Sequence, residues 1–347
     1  MTRPQRRAAS TLALVVAALT AAVAPLAAAS AAPAAPPPSG SNGGFSFAVI
    51  GDVPYGAPQI EAFPGWIDQI NAAKPSLTFH VGDIKNGSSR CDDAYYRMIR
   101  ADFDRFEKPL IYTPGDNEWT DCHRPNNGAY HPLERLAFDR SVFFDRPGRT
   151  LGQAPAPVTS QAAAGFPENV QLRRAGVQFA AIHVVGSNDG LQPWTGLGLT
   201  TATPEQLAAE QARMDNALAV VRSSFAAARE HHDRAVVILQ QADMFDPTYT
   251  PTSSDISAFT PLVRTLVEES STFDGDVYLL NGDSHVYNAD RPLAAGSAWL
   301  TTYGVAGSAD NLQRITVDGS ANNTDWLRMT VRATGPALAW ERVPYTP

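Results

Sequence analysis

The chain has 347 residues, of which 44% are hydrophobic and 18% are charged, and its formal net charge is −8 at pH 7. This is the composition of a globular protein, with length for one large domain or two smaller ones. The acidic balance and the lack of a basic run argue against a general nucleic-acid binder or a binder of anionic membranes.

The first residues have the pattern of a secretory signal peptide. Three arginines precede the apolar run TLALVVAALTAAVAPLAAAS, which is followed by small residues and A-x-A-like cleavage sites. We predict a signal peptide at residues 1–31, a Pro/Gly/Ser-rich spacer at 32–44, and a secreted protein with no membrane association after signal removal. A membrane anchor is the weaker alternative, because the run is Ala-rich and contains Pro25. Arg6 and Arg7 resemble a twin-arginine signal, but the following residues favour the Sec route.

The rest of the chain alternates strand-like and helix-like segments, as α/β proteins do. Predicted strands lie near residues 45–51, 77–82, 109–114, 177–185, 235–240 and 276–281. The clearest helix patterns are DDAYYRMIRADFDRFEK, PLERLAFDRSVFF, TPEQLAAEQARMDNALAVVRSSFAAAREHH and SDISAFTPLVRTLVEES. Short C-terminal strands are predicted at WLTTYGVAG, LQRITVDG, WLRMTVRATG and ALAWERV.

An aspartate follows four of these strands, each time directly after a glycine. The four are Asp52, Asp83, Asp116 and Asp283. In open α/β sheets, ligands bind where the carboxyl ends of parallel strands converge. A single Gly-Asp is more often a turn or a helix cap than a metal ligand. Four in matching positions, the last with His285 two residues later, predict a metal site.

The chain contains two cysteines, Cys91 and Cys122, and each lies shortly after one of these Gly-Asp segments. In an exported protein a single pair is expected to form a disulfide. Neither a CxxC spacing nor a third cysteine supports a cysteine metal site. We therefore predict a disulfide that joins two loops at the site.

The order and spacing of these segments resemble the calcineurin-like metallophosphoesterase superfamily, which includes purple acid phosphatases and many phosphodiesterases. That superfamily carries D-x-H, G-D, G-N-H-[DE], a histidine after a strand, and G-H-x-H. The matching segments here are GDVPY, VGDIKNG, TPGDNEW, VVILQQADMF and NGDSHVY. The resemblance covers residues 45–290 and implies a four-layer αββα sandwich, which we assign to residues 45–347.

The match to the family motifs is incomplete. The positions that keep the family's residue type are Asp52, Asp83, Glu118 and His285. The replacements are Pro54, Asn117, Asp283 and either Gln240 or Gln241 for histidines, and Asp116 for an asparagine. Imidazole ligands have been exchanged for oxygen ligands.

The resemblance implies two divalent metal ions that share one aspartate. Carried over to this sequence, the ligands of the first ion are Asp52, Asp83 and His285, with Tyr55 as a further candidate. Those of the second are Asp83, Asp116, Asp283 and Gln241, with Gln240 as the alternative. Such oxygen-rich sets favour Mn²⁺, Mg²⁺, Ca²⁺ or iron over Zn²⁺.

The family's mechanism implies hydrolysis by an activated water, with the third-motif histidine as a proton donor. Asn117, in that position, donates a hydrogen bond but carries no titratable proton. We expect Glu118 to orient Asn117 and His123 to supply the proton. By charge and position after the second motif, Lys85, Asn86 and Arg90 are the expected substrate contacts.

The function favoured by this pattern is an exported, metal-dependent phosphoester hydrolase acting on a small-molecule substrate. A different class of function is a non-catalytic protein that binds a metal or ligand on a degenerate metallophosphoesterase fold. Acids retained at the strand ends favour the enzyme, because a degenerate site would more often drift to Ala, Ser or Leu. A third alternative is a domain in which the metal is purely structural.

Overall fold

The computed structural model describes residues 44–346. The predicted signal peptide at residues 1–31, and all but the last residue of the predicted spacer at 32–44, lie outside this range. The boundaries at 1–31, 32–44 and 45–347 stay predictions. Within the described range, no helix is both long enough and apolar enough to cross a membrane.

Strands and helices alternate along most of the chain. The strands are β1 (Ser46–Ile50), β2 (Leu77–His80), β3 (Leu110–Tyr112), β4 (Thr159–Gln161), β5 (Phe166–Arg174), β6 (Val177–Ala181), β7 (Ala235–Leu239), β8 (Asp276–Asn281), β9 (Asn288–Asp290), β10 (Leu312–Thr316), β11 (Asp325–Val331) and β12 (Leu338–Pro344). The helices are α1 (Gly56–Ala72), α2 (Asp93–Phe103), α3 (Pro132–Phe143), α4 (Gly186–Asp189), α5 (Pro204–Glu230), α6 (Ser253–Ile256), α7 (Thr260–Ser270) and α8 (Ala298–Tyr303).

The strands form two sheets. One has the order β12-β11-β1-β2-β3, and the other has the order β4-β5-β6-β7-β8-β10-β9. In the first sheet β1, β2 and β3 are parallel, and in the second β6, β7, β8 and β10 are parallel. The loops that leave β1, β2, β3, β7 and β8 carry the acids and the glutamines of the predicted site.

The two sheets pack face to face, because alternate residues of each strand point to opposite sides. Phe47 and Val49 of β1 belong to the core between the sheets, together with Phe179 of the facing sheet. Ala48 and Ile50 point to the other side of β1 and pack in a second core against α1 and α2.

Helices cover the outer face of each sheet. Residues of α1, α2 and α3 pack on the five-stranded sheet, and residues of α5, α7 and α8 pack on the seven-stranded sheet. Two sheets between two helical layers make a four-layer αββα sandwich, so the predicted fold class is confirmed.

The predicted strand at WLTTYGVAG is wrong, because residues 298–303 form helix α8. The Ser297 hydroxyl caps this helix by accepting a hydrogen bond from the Trp299 backbone N–H, and Gly304 ends it in the left-handed conformation. Trp299 and Tyr303, four residues apart, pack on one side against the outer core. Helix α1 and strands β4, β5 and β9 were not predicted.

The predicted disulfide between Cys91 and Cys122 is confirmed. It joins the loop before α2 to the turn that follows the third Gly-Asp segment. Both sulfur atoms lie 3.7 Å from the carbonyl oxygen of Asn117. The disulfide therefore supports the backbone next to Asp116.

We expect reduction of this disulfide to lower the free energy of unfolding by about 3 kcal/mol, because the bond restricts the unfolded chain over a loop of 31 residues. Urea denaturation with and without reductant measures the change. The double variant Cys91→Ser/Cys122→Ser should match the reduced wild type and should not respond to reductant. Equal denaturation midpoints for the oxidised and reduced wild type would contradict this expectation.

Candidate metal centre

The carboxyl ends of the parallel strands meet at one edge of the sandwich, where the polypeptide turns sharply. Asp52, Asp83, Asp283 and His285 all adopt the left-handed backbone conformation, with φ between 53° and 74°. This conformation costs a residue with a Cβ atom about 1 kcal/mol or more. Such conformations concentrate at functional sites, and here the four side chains converge.

Two groups of potential ligands form at this edge and share one residue. Carboxylate oxygens of Asp52 and Asp83 and a ring nitrogen of His285 lie within 4.8 Å of one another. Carboxylate oxygens of Asp83, Asp116 and Asp283 form the second group within the same limit. Asp83 belongs to both groups.

Hydrogen bonds from Asn117 and Tyr55 fix the shared carboxylate of Asp83. The backbone N–H of Asn117 donates to Oδ1 over 3.1 Å. The Tyr55 hydroxyl donates to Oδ2 over 3.0 Å, and the Asn117 side-chain amide donates to the same oxygen over 2.8 Å. Tyr55, proposed as a further ligand, thus borders the first group and also lies 3.4 Å from His285 Nε2.

Asp52 is held against the loop that carries the last two candidate ligands. Its two carboxylate oxygens each lie 3.1 Å from the backbone nitrogen of Asp283, which donates to them. One of these oxygens also lies 3.4 Å from His285 Nε2. A Cβ atom on Gly282 would overlap the Asp52 carboxylate, so the close approach of these loops requires glycine there.

The acids lie close together in a buried place. Burial, followed by the charges of Asp116 and other nearby acids, raises the pKa of Asp83 well above its ordinary value of 3.8. Burial and the charges of Asp116 and Asp52 do the same for the pKa of Asp283. Burial lowers the pKa of His285, but the hydrogen bond and charge of Asp52 outweigh burial and raise it. Bound cations would relieve this repulsion between carboxylates.

The space between the carboxylates also suits an ion. A Cβ atom on Gly186 would lie 2.8 Å from both Asp116 Oδ2 and Asp283 Oδ1, so glycine keeps this gap free of side-chain atoms. Oxygen and imidazole donors in this number and spacing are compatible with divalent metal binding. The residues present therefore fit a metal centre.

Glu118 does not face the open side of this cluster. Its Oε1 accepts hydrogen bonds from the backbone N–H groups of Asp83 and Gly115 and from the Tyr112 hydroxyl. The side chain is fully buried. Glu118 thus ties the second and third Gly-Asp loops together, and the expectation that it orients Asn117 in catalysis stays a prediction.

Gln241 meets the carboxylates through its amide nitrogen. Nε2 lies 3.1 Å from Asp83 Oδ2 and 3.3 Å from Asp116 Oδ1, while Oε1 accepts from the Gly186 N–H over 2.6 Å. A backbone N–H can only donate, so Gly186 fixes this orientation of the amide. A metal ligand must offer the oxygen, which here points to Gly186, and the assignment of Gln241 as a ligand stays a prediction. Gln240 faces away and donates to Ala242.

Asn117 and His123, the two residues expected to act on the leaving group, lie in different surroundings. The Asn117 amide lies at the cluster and donates to Tyr55 and Asp83. His123 Nδ1 accepts from the Gly196 N–H, and burial together with the charge of Arg124 lowers the pKa of His123 to about 4. The lowered pKa favours the neutral form of His123, and the expectation that His123 supplies a proton stays a prediction.

The structure does not bring the three expected substrate contacts to the cluster as a group. Lys85 is 0% exposed, and its ammonium donates to the carbonyl oxygens of Asn86 and Asn117. The Asn86 side chain accepts from Ser88. The Arg90 side chain is 59% exposed and pairs with Asp92 at the surface. Lys85 is better described as a brace beneath Asn117, and Arg90 as a surface ion pair.

Ser187 belongs to the site and was not predicted from the sequence. It lies in α4, where Ser187, Asn188 and Asp189 are left-handed, with φ of 53°, 55° and 51°. The Ser187 hydroxyl donates to Asp116 Oδ2 over 2.7 Å and lies 3.4 Å from Asp121 Oδ1. The segment VVGSNDG after a predicted strand was the available signal, but it does not reveal the left-handed turn.

A pocket of about 190 Å³ opens beside Asp283. Its wall carries acids, the aromatic rings of Tyr249 and Phe259, and amide and hydroxyl groups. The acids of the wall are Asp243, Asp246, Asp255 and Asp283. No lysine, arginine or histidine lines this pocket in the described structure. It is therefore suited to an uncharged or cationic group.

We expect the metal-free protein to lose stability between pH 6.5 and pH 8, with its melting temperature falling by several degrees. The pKa values of Asp83 and Asp283 are raised on folding, so these groups stabilise the fold below about pH 4 and this contribution is lost as the pH rises through their folded pKa values. Asp121 sets the upper end of the window, because burial and the charge of Asp116 raise its pKa to about 8.

Other groups set the limits of this window. Burial lowers the pKa of His183 to about 4, so its contribution changes in the opposite direction below pH 6.5. Burial lowers the pKa of Lys85 to about 8, which opposes the trend at higher pH. Thermal unfolding in EDTA and in excess Mn²⁺ checks the expectation. A decrease of the same size with Mn²⁺ present would show that these acids are not at an ion site.

No family model matches this sequence, and no curated protein matches it. Solved structures do. A dimetal phosphatase from Danio rerio aligns with a TM-score of 0.53 and 12% identity, over 86% of this chain and 96% of that one. GAP50, the anchor in the inner membrane complex of Plasmodium, aligns with a TM-score of 0.44 and 10% identity, over 87% of this chain and 89% of that one. The purple acid phosphatase PPD1 from yellow lupin aligns with a TM-score of 0.45 and 11% identity, over 87% of this chain and 52% of that one.

The likeness to the dimetal phosphatase concerns the fold. It extends over 86% of this chain and 96% of that protein. The chain therefore has a fold of the calcineurin-like metallophosphoesterase type, as its motifs suggested.

Proposed function

We propose that this protein hydrolyses phosphoester bonds at a centre of two divalent metal ions. Asp52, Asp83 and His285 would hold one ion, and Asp83, Asp116 and Asp283 would hold the other. The observation that carries the proposal is the sharing of Asp83 between two ligand groups, within the fold of a dimetal phosphatase.

Bound divalent ions would supply Lewis acidity that neutralises phosphoryl charge and activates water for attack. The protein's own groups position the reactants around them. The Asn117 amide and Tyr55 hydroxyl hold Asp83 Oδ2 in place, and Lys85 and the disulfide support the backbone of Asn117 from below. Because Asn117 carries no titratable proton, we expect aryl phosphoesters with good leaving groups to react faster than alkyl phosphoesters.

The donor set supports a hard ion. His285 offers the one nitrogen in the two groups, and every other donor is a carboxylate oxygen. Oxygen-rich sets suit Mn²⁺, Mg²⁺, Ca²⁺ or iron better than Zn²⁺. With Gln241 donating rather than accepting, the second group depends still more on its three carboxylates.

The pocket beside Asp283 supports a small-molecule substrate. Its volume of about 190 Å³ suits the alcohol part of a phosphoester, and its acids would repel a second phosphate or a carboxylate. The proposed substrate is therefore a small phosphoester whose alcohol is neutral or cationic.

The disulfide supports a location outside the cytoplasm, because such bonds persist in oxidising compartments. We propose that the protein is secreted after removal of its signal peptide. Detection of the mature chain in culture medium or in an extracytoplasmic fraction would test this location.

The alternative function is binding of a metal or ligand without catalysis. One observation favours it: Gln241 turns an N–H₂ group toward carboxylates that would otherwise face an ion. In that case the amide substitutes in part for a cation. Metal binding without turnover of any phosphoester would support this alternative.

The experiment that tests the proposal combines metal analysis with turnover. Metal-stripped mature protein is reconstituted with Mn²⁺, Mg²⁺, Ca²⁺, Fe²⁺ or Zn²⁺, and bound metal is measured by elemental analysis. Each form is then assayed with p-nitrophenyl phosphate and bis(p-nitrophenyl) phosphate. We expect two ions per chain and turnover that EDTA abolishes. Two bound ions without turnover would reject the enzyme, and no bound ion would reject the centre.

A further inference from the structure

Arg124 is a partly exposed cation at the rim of the acidic cluster. Its side chain is 39% exposed, whereas Asp121, its ion-pair partner, is 5% exposed. Other basic groups nearby already have protein partners or a proposed role as ligand. Lys85 is buried beneath carbonyl oxygens, Arg314 is buried against Asp243, and His285 belongs to the proposed ligands.

A short chain of contacts joins Arg124 to the metal centre. Arg124 Nη1 lies 2.6 Å from Asp121 Oδ2 and donates to the carbonyl oxygen of Gly87 over 3.0 Å. The other Asp121 oxygen lies 3.4 Å from the Ser187 hydroxyl, which donates to Asp116. These contacts use Nη1, and among the described residues no protein atom accepts a hydrogen bond from Nε or Nη2.

Arg124 and Asn117 approach each other beside Gly87, where Asp121 Oδ2 also lies 3.1 Å from the position that a Cβ atom would take. A Cβ atom on Gly87 would lie 2.7 Å from Asn117 Oδ1 and 3.0 Å from Arg124 Nη1. Both groups therefore border the same small space. Asn117 lies on the cluster side of it, because its amide nitrogen donates to Asp83. An oxygen atom of a substrate bound at the centre would meet Arg124 from this side.

The charges of the centre give such a cation a clear use. Four carboxylates, from Asp52, Asp83, Asp116 and Asp283, would balance the charge of two divalent ions. A phosphomonoester is a dianion and a phosphodiester is a monoanion, so the monoester needs more additional positive charge. A guanidinium also donates in a fork that matches two phosphoryl oxygens.

We propose that the Arg124 guanidinium binds non-bridging phosphoryl oxygens and thereby gives the site its affinity for phosphomonoesters. The inference rests on the proposed function and names the substrate class of that site. Arg124 is a specificity-determining residue in this proposal. The alternative role of Arg124 is only to neutralise the buried carboxylate of Asp121.

The Arg124→Gln variant tests the proposal in the metal-loaded protein. We expect its affinity for inorganic phosphate, measured by calorimetry, to fall about 10- to 100-fold, as for loss of a charged hydrogen bond. The KM for p-nitrophenyl phosphate should rise by a similar factor, while the KM for bis(p-nitrophenyl) phosphate should change less than about threefold. Arg124→Lys should restore part of the phosphate affinity.

The matched control is Asp121→Asn, which removes the ion-pair partner and keeps Arg124. If Arg124 contacts phosphate, this control should bind phosphate at least as tightly as the wild type. Equal losses of phosphate affinity in Arg124→Gln and Asp121→Asn, or no loss in Arg124→Gln, would overturn the inference. If no form hydrolyses either ester, the proposed function fails, but the phosphate titration still decides the role of Arg124.

Discussion

The Asp83→Ala variant should bind neither metal ion and lose about 10³-fold or more of the phosphoester turnover. Asp83 is the residue common to both ligand groups, so its removal takes a carboxylate from each. The remaining ligands would be Asp52 and His285 on one side and Asp116 and Asp283 on the other. Two donors each, without the central carboxylate, are too few to retain an ion at micromolar concentration.

The fold should tolerate this change. Asp83 accepts hydrogen bonds from Asn117, Tyr55 and Gln241, and their loss destabilises the protein. Removal of a carboxylate from among buried acids stabilises it, and the two effects oppose each other. We therefore expect the melting temperature in EDTA to change by only a few degrees.

Elemental analysis after dialysis measures the bound ions, and thermal unfolding in EDTA measures the fold. The control is Asp68→Ala, which removes a carboxylate that is 63% exposed and pairs with Arg105. The control should keep both ions and full turnover. Retention of even one ion per chain by Asp83→Ala at wild-type affinity would contradict the assignment of Asp83 as the shared ligand.

The positions of the four aspartates could be predicted from the sequence because they depend on a simple rule. An apolar strand that ends in Gly-Asp places its acid at the carboxyl end of the strand, and parallel strands bring those ends to one edge. The two sheets share this edge, so Asp52 and Asp83 of one sheet meet Asp283 of the other. The rule concerns the backbone and requires no knowledge of side-chain orientation.

The roles of Gln241 and Lys85 depend on contacts that the local sequence does not reveal. The Gln241 amide is oriented by the N–H of Gly186, which begins a left-handed turn after another strand. Lys85 follows Asp83 closely, as a substrate contact would, but two carbonyl oxygens satisfy it in the interior. The sequence does not distinguish a buried charge whose hydrogen bonds are satisfied from a charge that faces a ligand.

Arg124 is the opposite case, a basic residue that the sequence did not single out and that the fold places near the cluster. It lies eight positions beyond Asp116, whereas the sequence favoured Lys85 and Arg90 by charge and position after the second motif. The fold instead turns Arg124 toward Gly87 and Asp121, while Arg90 pairs with Asp92 outside the site. Long loops decide which basic residue reaches the rim, and their course depends on tertiary contacts.

Asp283→Asn should have opposite effects on stability with and without metal ions. Asp283 Oδ2 accepts from the Asp243 N–H, and Oδ1 faces Asp116 across the gap kept open by Gly186. The asparagine oxygen can keep the first contact while its N–H₂ group turns toward Asp116. A repulsion between buried carboxylates is thereby replaced by a hydrogen bond. In EDTA we expect the free energy of unfolding of the variant to exceed that of the wild type by about 1 kcal/mol or more.

With excess Mn²⁺ the order should reverse, because the wild type gains binding energy at both ligand groups and the variant has lost a carboxylate from the second. Thermal unfolding of both proteins in EDTA and in Mn²⁺ gives the four values required. Asp246→Asn is the control, since Asp246 lines the pocket but belongs to neither ligand group. The change in stability that it causes should have the same sign in EDTA and in Mn²⁺. An Asp283→Asn variant that is less stable than the wild type in EDTA would mean that this carboxylate supports the fold without any ion, and an unchanged order in Mn²⁺ would remove Asp283 from the metal centre.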